Sequence, residues 1–385
     1  MFLKSGYILL LSILISTSAM AQSNCQIIYD AGSSGTRLYI YQQQGKSWLA
    51  HSGPKVAALA DPVRELRGKN WQDADAVVDA VVGALDAIRQ PGPLNSKGDP
   101  RWSAFDWQKL CRVTSVEVLA TAGMRIAEQR HRERSRELWQ KLNQGLQAKL
   151  GKDVPIQTRT LSGFEEGLYA WIAVRRSQPS NRFGIVEMGG ASSQVAFPCP
   201  ECKQAKTVEI RGKSVKFYSY SYLGLGQDEA PKTLGFPKMC AYGVGLEHRD
   251  WQPANCRSRI RIRTPQGMFD PYNLGEKGYG TYHSTPIAKA DVERWILTGA
   301  FEYMKSSDIQ QCCEQRGKCY QPQTACYRAN YLPEFLQSLG VRSKEIARAS
   351  WTLGAAICNA TDCLRNSGKL LCRWSKKGCL NQPLR

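Results

Sequence analysis

Ile27 to Tyr41, IIYDAGSSGTRLYIY, sets in order an apolar run, one carboxylate, a loop almost free of side chains, and a second apolar run. Strands over Cys25–Tyr29 and Leu38–Tyr41, joined by the glycine-rich turn, are the simplest reading. Residues 185–194, IVEMGGASSQ, repeat the format. In each copy an acid closes the strand (Asp30, Glu187), a glycine follows two residues later (Gly32, Gly189), and small hydroxyl-bearing residues lead into another strand. Two such copies predict two related half-structures facing each other. The bland alternative is two ordinary hairpins with an acidic turn residue, and the shared format argues against it.

The loops have a chemistry in common. Glycine lets backbone N–H groups approach phosphate oxygens, and Ser or Thr adds hydroxyl donors. A carboxylate repels phosphate but can hold a hydrated divalent cation that bridges a phosphate chain. Asp30 and Glu187 are therefore expected to anchor the waters of a metal ion.

A third carboxylate comes from SGFEEGLYAW, residues 162–171. Ser162 and Glu165 have capping-box spacing, which occupies Glu165 and leaves Glu166 free. An ionised Glu166 near bound phosphate could take a proton from attacking water. Equally, both acids could do no more than serve the positive helix end. The sequence holds no Walker-type phosphate loop, zincin helix or nucleophile elbow. His51, His131, His248 and His283 form no metal-spaced cluster. Metal-assisted attack by water is the chemistry that remains.

The rest of the chain sets the context. MFLKSGYILLLSILISTSAMAQ reads as a signal peptide cleaved after Ala21, and an uncleaved anchor is the competing reading. A secreted or periplasmic product with no membrane span and no tail anchor is expected. The net charge of +19 falls to +18 once Lys4 leaves with the signal, and such a field attracts anions. Fourteen cysteines, eight of them from Cys312 to Cys379, suit disulfides in an exported chain. The adjacent Cys312 and Cys313 are expected to pair elsewhere. A zinc half-site or redox pair at Cys199–Cys202 is the weaker reading, because no second pair matches the spacing.

Apolar spacing predicts a helix over Asp73–Ile88, and SVEVLA from Ser115 predicts a strand running into TAGMR. Residues 126–150 read as one charged helix. Acids interleaved in its RHRERSRE make a solvated face the better reading than a nucleic-acid patch. VPIQTRT reads as a further strand. RSRIRIRT reads as a strand with Arg257, Arg259, Arg261 and Arg263 on one face, a solvated edge rather than an anion-binding stripe.

DAGSSGTR, ATAGMR, SGFEEGLYAW, EMGGASSQ and WTLGAAI follow one another in the order of the five apyrase conserved regions. The chain thus resembles the ecto-nucleoside triphosphate diphosphohydrolases, most of all their secreted bacterial members, from about Ile27 to Ile357. The resemblance implies an α/β fold, two-lobed and actin-like (ribonuclease H-like), with the site in the interlobe cleft. Residues 1–21 would be the signal, 22–160 lobe I, 161–349 lobe II, and 350–385 the return to lobe I. It implies hydrolysis of nucleoside tri- and diphosphates such as ATP and ADP to the monophosphate, with a divalent cation (Mg, Ca or Mn). No nucleic-acid partner and a monomeric state are expected.

By the same resemblance Glu166 is the base, and Ser192 and Gln194 help place the attacking water. Ser33, Ser34, Gly35 and Thr36 form one phosphate loop, and Gly189, Gly190 and Ala191 with Ser192 form the other. Thr121 and Arg125 lie near the phosphates. Asp30 and Glu187 hold the metal's waters, with Gln227 and Asp228 nearby, and Tyr331 and Trp351 are candidates for stacking on the nucleobase. Three positions depart from the family pattern: Glu187 for Asp, Gly35 for the His of animal members, and Ala170 for Gly. An exopolyphosphatase-like hydrolase, a sugar-kinase-like phosphotransferase and a non-catalytic anion-binding protein are the alternatives.

Overall fold

The first hairpin extends further than its apolar residues alone predict. In the computed structural model, which describes residues 22–64, 72–240, 253–274, 278, 280–303, 322–343, 345–365 and 367, β1 runs Ser23–Gly32 and β2 Gly35–Gln44. β3 (Ser47–Val56) continues the antiparallel meander. Helix α1 (Ala74–Ala87) follows, and the Asp73 carboxylate caps it by accepting from Asp75 N at 2.9 Å. Short α2 (Trp107–Leu110) leads into β4 (Cys111–Ala120). Two helices, α3 (Ala122–Arg130) and α4 (Arg132–Leu150), precede β5 (Ile156–Thr160). The sheet order is β3-β2-β1-β4-β5, with β4 parallel to β1 and β5 parallel to β4. A Cys25–Cys111 disulfide ties β1 to β4.

The second sheet repeats the centre of this plan. After α5 (Gly163–Arg175) come β6 (Phe183–Met188), β7 (Ser192–Pro198), β8 (Lys206–Ile210) and β9 (Lys213–Leu223). Short α6 (Ala230–Thr233), α7 (Pro253–Arg259) and a small antiparallel sheet of β10 (Arg263–Thr264), β11 (Gly267–Leu274) and β12 (Gly280–His283) follow. β13 (Arg294–Gly299), α8 (Pro322–Leu339) and α9 (Trp351–Thr361) complete the described chain. The order is β13-β6-β7-β9-β8. As β1 lies between antiparallel β2 and parallel β4, β6 lies between antiparallel β7 and parallel β13. Among the described residues no helix is long and apolar enough to cross a membrane.

Two expectations change. The charged helix starts earlier, inside TAGMR, and breaks at His131 (φ −135°, ψ 61°) into α3 and α4. RSRIRIRT is not a continuous strand: its start is helical and only Arg263–Thr264 pairs. The Cys240–Cys256 disulfide and burial of Ile260 and Ile262 shape that segment. Arg257 pairs with Glu334 at 3.1 Å and Arg263 donates to Ser338 O, so no single face of guanidinium forms. Cys199 and Cys202 are joined in a disulfide, as the favoured reading of the cysteines expects, which leaves no thiolate for zinc. The signal segment, Cys312 and Cys313 lie outside the described residues.

Helices α5 and α9 fill the space between the two sheets. One buried cluster takes Ile28 and Leu119 from the first sheet, Ile185 and Ala196 from the second, and Trp171 and Ala355 from the helices. Gln26 Nε2 donates to Ala356 O at 3.0 Å, and Tyr41 and Thr352 share a 2.6 Å hydrogen bond. The helices touch backbone to backbone at Gly354, where a Cβ would lie 1.8 Å from Tyr169 O. Gly354→Ala must push α9 off α5, and overpacking of this kind costs about 1–3 kcal/mol. The expected outcome is a lower urea midpoint than wild type; an unchanged midpoint would contradict the packing described.

Candidate active site

The two hairpins share register as well as sequence. Asp30 pairs across its hairpin with Arg37, and Glu187 with Gln194, in each case the residue seven positions on. On the parallel side Asp30 lies beside Leu119 and Glu187 beside Thr298. Each carboxylate sits over the glycine that follows it. A Cβ at Gly32 would be 3.6 Å from Asp30 Oδ1, and one at Gly189 would be 3.8 Å from Glu187 Oε2. The loops then meet. Ser33 packs between Gly123, where a Cβ would come within 2.9 Å of Ser33 Cα, and Gly190, where it would come within 2.6 Å of Ser33 Oγ. Glycine at 190 lets the second sheet's loop reach the first, and glycine at 123 lets α3 close on the Ser33 loop. A cleft of about 480 Å³ opens beside this contact.

The capping box of α5 forms as its spacing predicts. Glu165 N donates to Ser162 Oγ at 3.2 Å and Ser162 N donates to Glu165 Oε2 at 3.0 Å. Arg159 adds a buried ion pair to Glu165 at 2.8 Å. Glu165 is thereby fixed to the helix end, and its neighbour Glu166 lines the cleft. Arg125 NH2 donates to Glu166 Oε2 at 2.5 Å and to Ser192 Oγ at 3.1 Å. Its NH1 donates to Ser221 Oγ at 3.1 Å. Gln194 Nε2 donates to Ser192 Oγ at 2.7 Å and to Ser221 Oγ at 2.9 Å. Five side chains from α3, α5, β7 and β9 thus form one buried network that fixes the donors around Glu166.

Negative charge accumulates in the cleft. Burial, then Glu166, pushes the Asp30 carboxyl up to about 7, against the pull of Arg37 and Lys55. Burial, Glu166 and Asp30 push Glu187 well above the usual carboxylate range. Burial raises Glu166 too, and Arg125 opposes it. Glu187 Oε2 is buried with no hydrogen-bond partner among the described residues. Such acids ask for a cation. No group of three or more potential ligands that could hold a metal ion forms among the described residues. Two facing carboxylates, one with an orphaned oxygen, fit an ion that keeps most of its water, as Mg²⁺ does.

The predicted residues divide into those that line the cleft and those that support it. Asp30, Ser33, Ser34, Thr121, Glu166, Glu187, Gly189, Gly190, Ala191, Ser192 and Trp351 line it, and so does Ala170. Arg125 and Gln194 lie buried behind. Gly35 and Thr36 belong to the far side of the first loop, and the Thr36 hydroxyl is buried without a partner among the described residues. Gln227 and Asp228 brace the second loop, their N–H groups donating to Gly189 O at 2.9 Å and Gly190 O at 2.8 Å. Tyr331 is corrected: its ring is fully buried, stacked on Tyr327, and its hydroxyl donates to Leu225 O. A nucleobase cannot stack on a ring with no open face.

Sequence reasoning passed over Arg37, Tyr39, Glu302 and Arg348, which also line the cleft. Arg37 stood inside the quoted motif, one register pair from Asp30. Ser221 was findable from YSYSYLG, where alternation sets Ser219 and Ser221 on one strand face. Glu302 and Arg348, paired at 3.5 Å, carry no local signal.

A model of the GDA1/CD39 (nucleoside phosphatase) family matches residues 108–330. The chain is 26% identical over 238 residues to "Probable apyrase 5" of Arabidopsis thaliana, covering 58% of this chain and 45% of that protein. It is 27% identical over 227 residues to human "Ectonucleoside triphosphate diphosphohydrolase 6", covering 52% and 40% respectively. The chain spans about half the length of the curated relatives it matches. Among solved structures it is similar to one titled as nucleoside triphosphate hydrolases from Neospora caninum, with TM-score 0.51 and 14% identity over 87% of this chain and 92% of that one. The fold is the two-lobed, actin-like α/β fold.

A raised carboxyl disfavours the folded state once it must ionise. Asp30 has an ordinary value of 3.8 and a folded value of about 7. Its contribution to stability is full below the first and is lost as pH rises through the second. Without divalent cation, the thermal midpoint is expected to fall from about pH 4 to pH 8. Mg²⁺ should offset the fall most at the alkaline end, since ligation needs the deprotonated acids. Asp30→Asn should flatten both trends, and a Mg²⁺ effect independent of pH would contradict this.

Proposed function

The chain belongs to the GDA1/CD39 (nucleoside phosphatase) family, and on that premise we propose that it is an exported apyrase, hydrolysing nucleoside tri- and diphosphates to the monophosphate and phosphate. The single observation that carries the reading is the Glu166 carboxylate facing a cleft built from two glycine-rich loops of matching register. Main-chain N–H groups of both loops, with the Ser33, Ser34, Thr121 and Ser192 hydroxyls, receive the phosphate oxygens. Asp30 and Glu187 hold the water shell of a divalent cation, which when bound offsets phosphate charge.

Arg125 has two roles in this reading. Before substrate binds, it neutralises Glu166 through the 2.5 Å pair. A terminal phosphate competes for the same guanidinium and leaves the carboxylate free to accept a proton. Gln194, held through its Nε2 to Ser192 Oγ, fixes the hydroxyl that lines the cleft beside the attacking water, one hydrogen of which stays on its oxygen. The other hydrogen goes to Glu166 as the water oxygen bonds to the terminal phosphorus. The bond from that phosphorus to the bridging oxygen breaks, and the shortened nucleotide leaves. A monophosphate has no such anhydride bond and is not a substrate.

For this reading the described residues within 22–160 and 350–367 make lobe I and those within 161–349 make lobe II. Export accords with the described disulfides, which suit an oxidising compartment.

The test is phosphate release from ATP, ADP, AMP and polyphosphate by the oxidised protein, with Mg²⁺ or with chelator, beside Glu166→Gln. Metal-dependent release from ATP and ADP, absent with AMP, is expected. Loss of a positioned base should lower it ~10²–10⁴-fold in the variant, with nucleotide binding kept. Turnover retained by Glu166→Gln removes Glu166 as base; release from polyphosphate alone replaces the substrate.

A further inference from the structure

Lys55 lies at the end of β3, outside every motif that identifies the cleft. Its Cα pairs directly with Arg37, next to a register shift between Arg37 and Tyr39. Two cations opposite each other on a sheet repel. Such a pair persists where something negative sits between or beside them. Asp30 and Asp228 both act on the Lys55 charge, one from each lobe's loop region. Among the described residues, however, the ammonium makes no ion pair and one hydrogen bond, donating to Ser34 Oγ at 3.2 Å. Two of its three N–H donors are therefore left for other acceptors.

The path of this side chain depends on Gly35. A Cβ at position 35 would stand 2.3 Å from Lys55 Cε and 3.1 Å from its Cγ. Gly35 also has φ +153°, and a Cβ there would come within 2.9 Å of Val56 O. The missing side chain at 35 opens the groove along which the lysine stem crosses the loop. The stem delivers a cation to the hydroxyl of a loop whose other side lines the cleft.

We propose that Lys55 is a phosphate-binding residue of the cleft, reaching the substrate's phosphate chain across Ser34 through the space that Gly35 leaves. The inference rests on the phosphate-cradle reading above and names a contact for it. It requires no chemical step of Lys55. The ammonium supplies charge-assisted hydrogen bonds to phosphate oxygens, for which lysine is well suited as a point charge. It also gives the repelling Arg37–Lys55 pair an anion to share.

The test uses tripolyphosphate with methylene groups in place of its bridging oxygens, which needs no nucleoside and has no anhydride to hydrolyse, titrated calorimetrically with Mg²⁺ at low salt. Wild type, Lys55→Met and Lys55→Arg are compared, with Lys46→Met as the charge control in the exposed β2–β3 turn. Hydrogen bonds to charged groups are worth about 1.5–3 kcal/mol, so Kd should rise roughly 10- to 100-fold in Lys55→Met. Lys55→Arg should keep part of the affinity, and Lys46→Met should match wild type. Equal affinity in Lys55→Met and Lys46→Met overturns the proposal, and so does a wild type that does not bind the methylene-bridged tripolyphosphate. A wild type that binds through Lys55 but releases no phosphate from ATP or ADP removes the hydrolase reading and leaves Lys55 standing.

Discussion

Three carboxylates, Asp30, Glu166 and Glu187, are brought into one buried cleft, where Glu166 raises the proton affinity of the other two and Asp30 raises that of Glu187. That convergence is the constraint on which the rest of the structure depends. Isolated, each acid would be protonated or would stay in water. Here each is held in place by something that cannot easily yield. Asp30 and Glu187 stand on central strands with a neighbour on both sides. Glu166 is fixed in the first turn of a capped helix. The stored repulsion favours a cation, and the cation in turn admits an anionic phosphate chain that the acids alone would repel.

The packing between the lobes follows from the same need. Two loops from different sheets must touch without side chains intruding, so Gly190 faces Ser33 at contact distance, and Gly123 at the start of α3 leaves room behind that loop. The approach is held by α5 and α9, which pack on both sheets and on each other. α5 carries Glu166 as well as much of that apolar core. Interlobe stability and the position of the proton acceptor are thus set by one helix. Changes in the core there should be felt as loss of order around Glu166 as much as loss of fold.

Local chemistry was legible in the sequence and long-range geometry was not. The hairpins were visible because a strand, a glycine loop and a second strand lie within fifteen residues. Their strands ran longer because β4 and β13, distant in sequence, pair with β1 and β6. The Ser162–Glu165 box was visible because capping is local. The Arg125–Glu166 pair joins residues 41 positions apart and no periodicity announces it. RSRIRIRT misled because its alternation was counted on the arginines, while the disulfide at Cys256 and the buried Ile260 and Ile262 set its path. Tyr331 misled because an aromatic ring in a core and one in a cleft look alike in sequence. Gly354 read as an ordinary small residue until Tyr169 was seen against it, and Gly35, read as part of a phosphate loop, gave no sign of the Lys55 stem beside it.

The most direct measurement on the central claim is hydrolysis of ATP and of ADP in ¹⁸O-labelled water, followed by mass analysis of both products. Water attacking the terminal phosphorus in the cleft puts one labelled oxygen into each phosphate released and none into the nucleotide. Label in the nucleotide product, or phosphate released without label, would contradict attack by water at that atom. It would also remove the role assigned to Glu166.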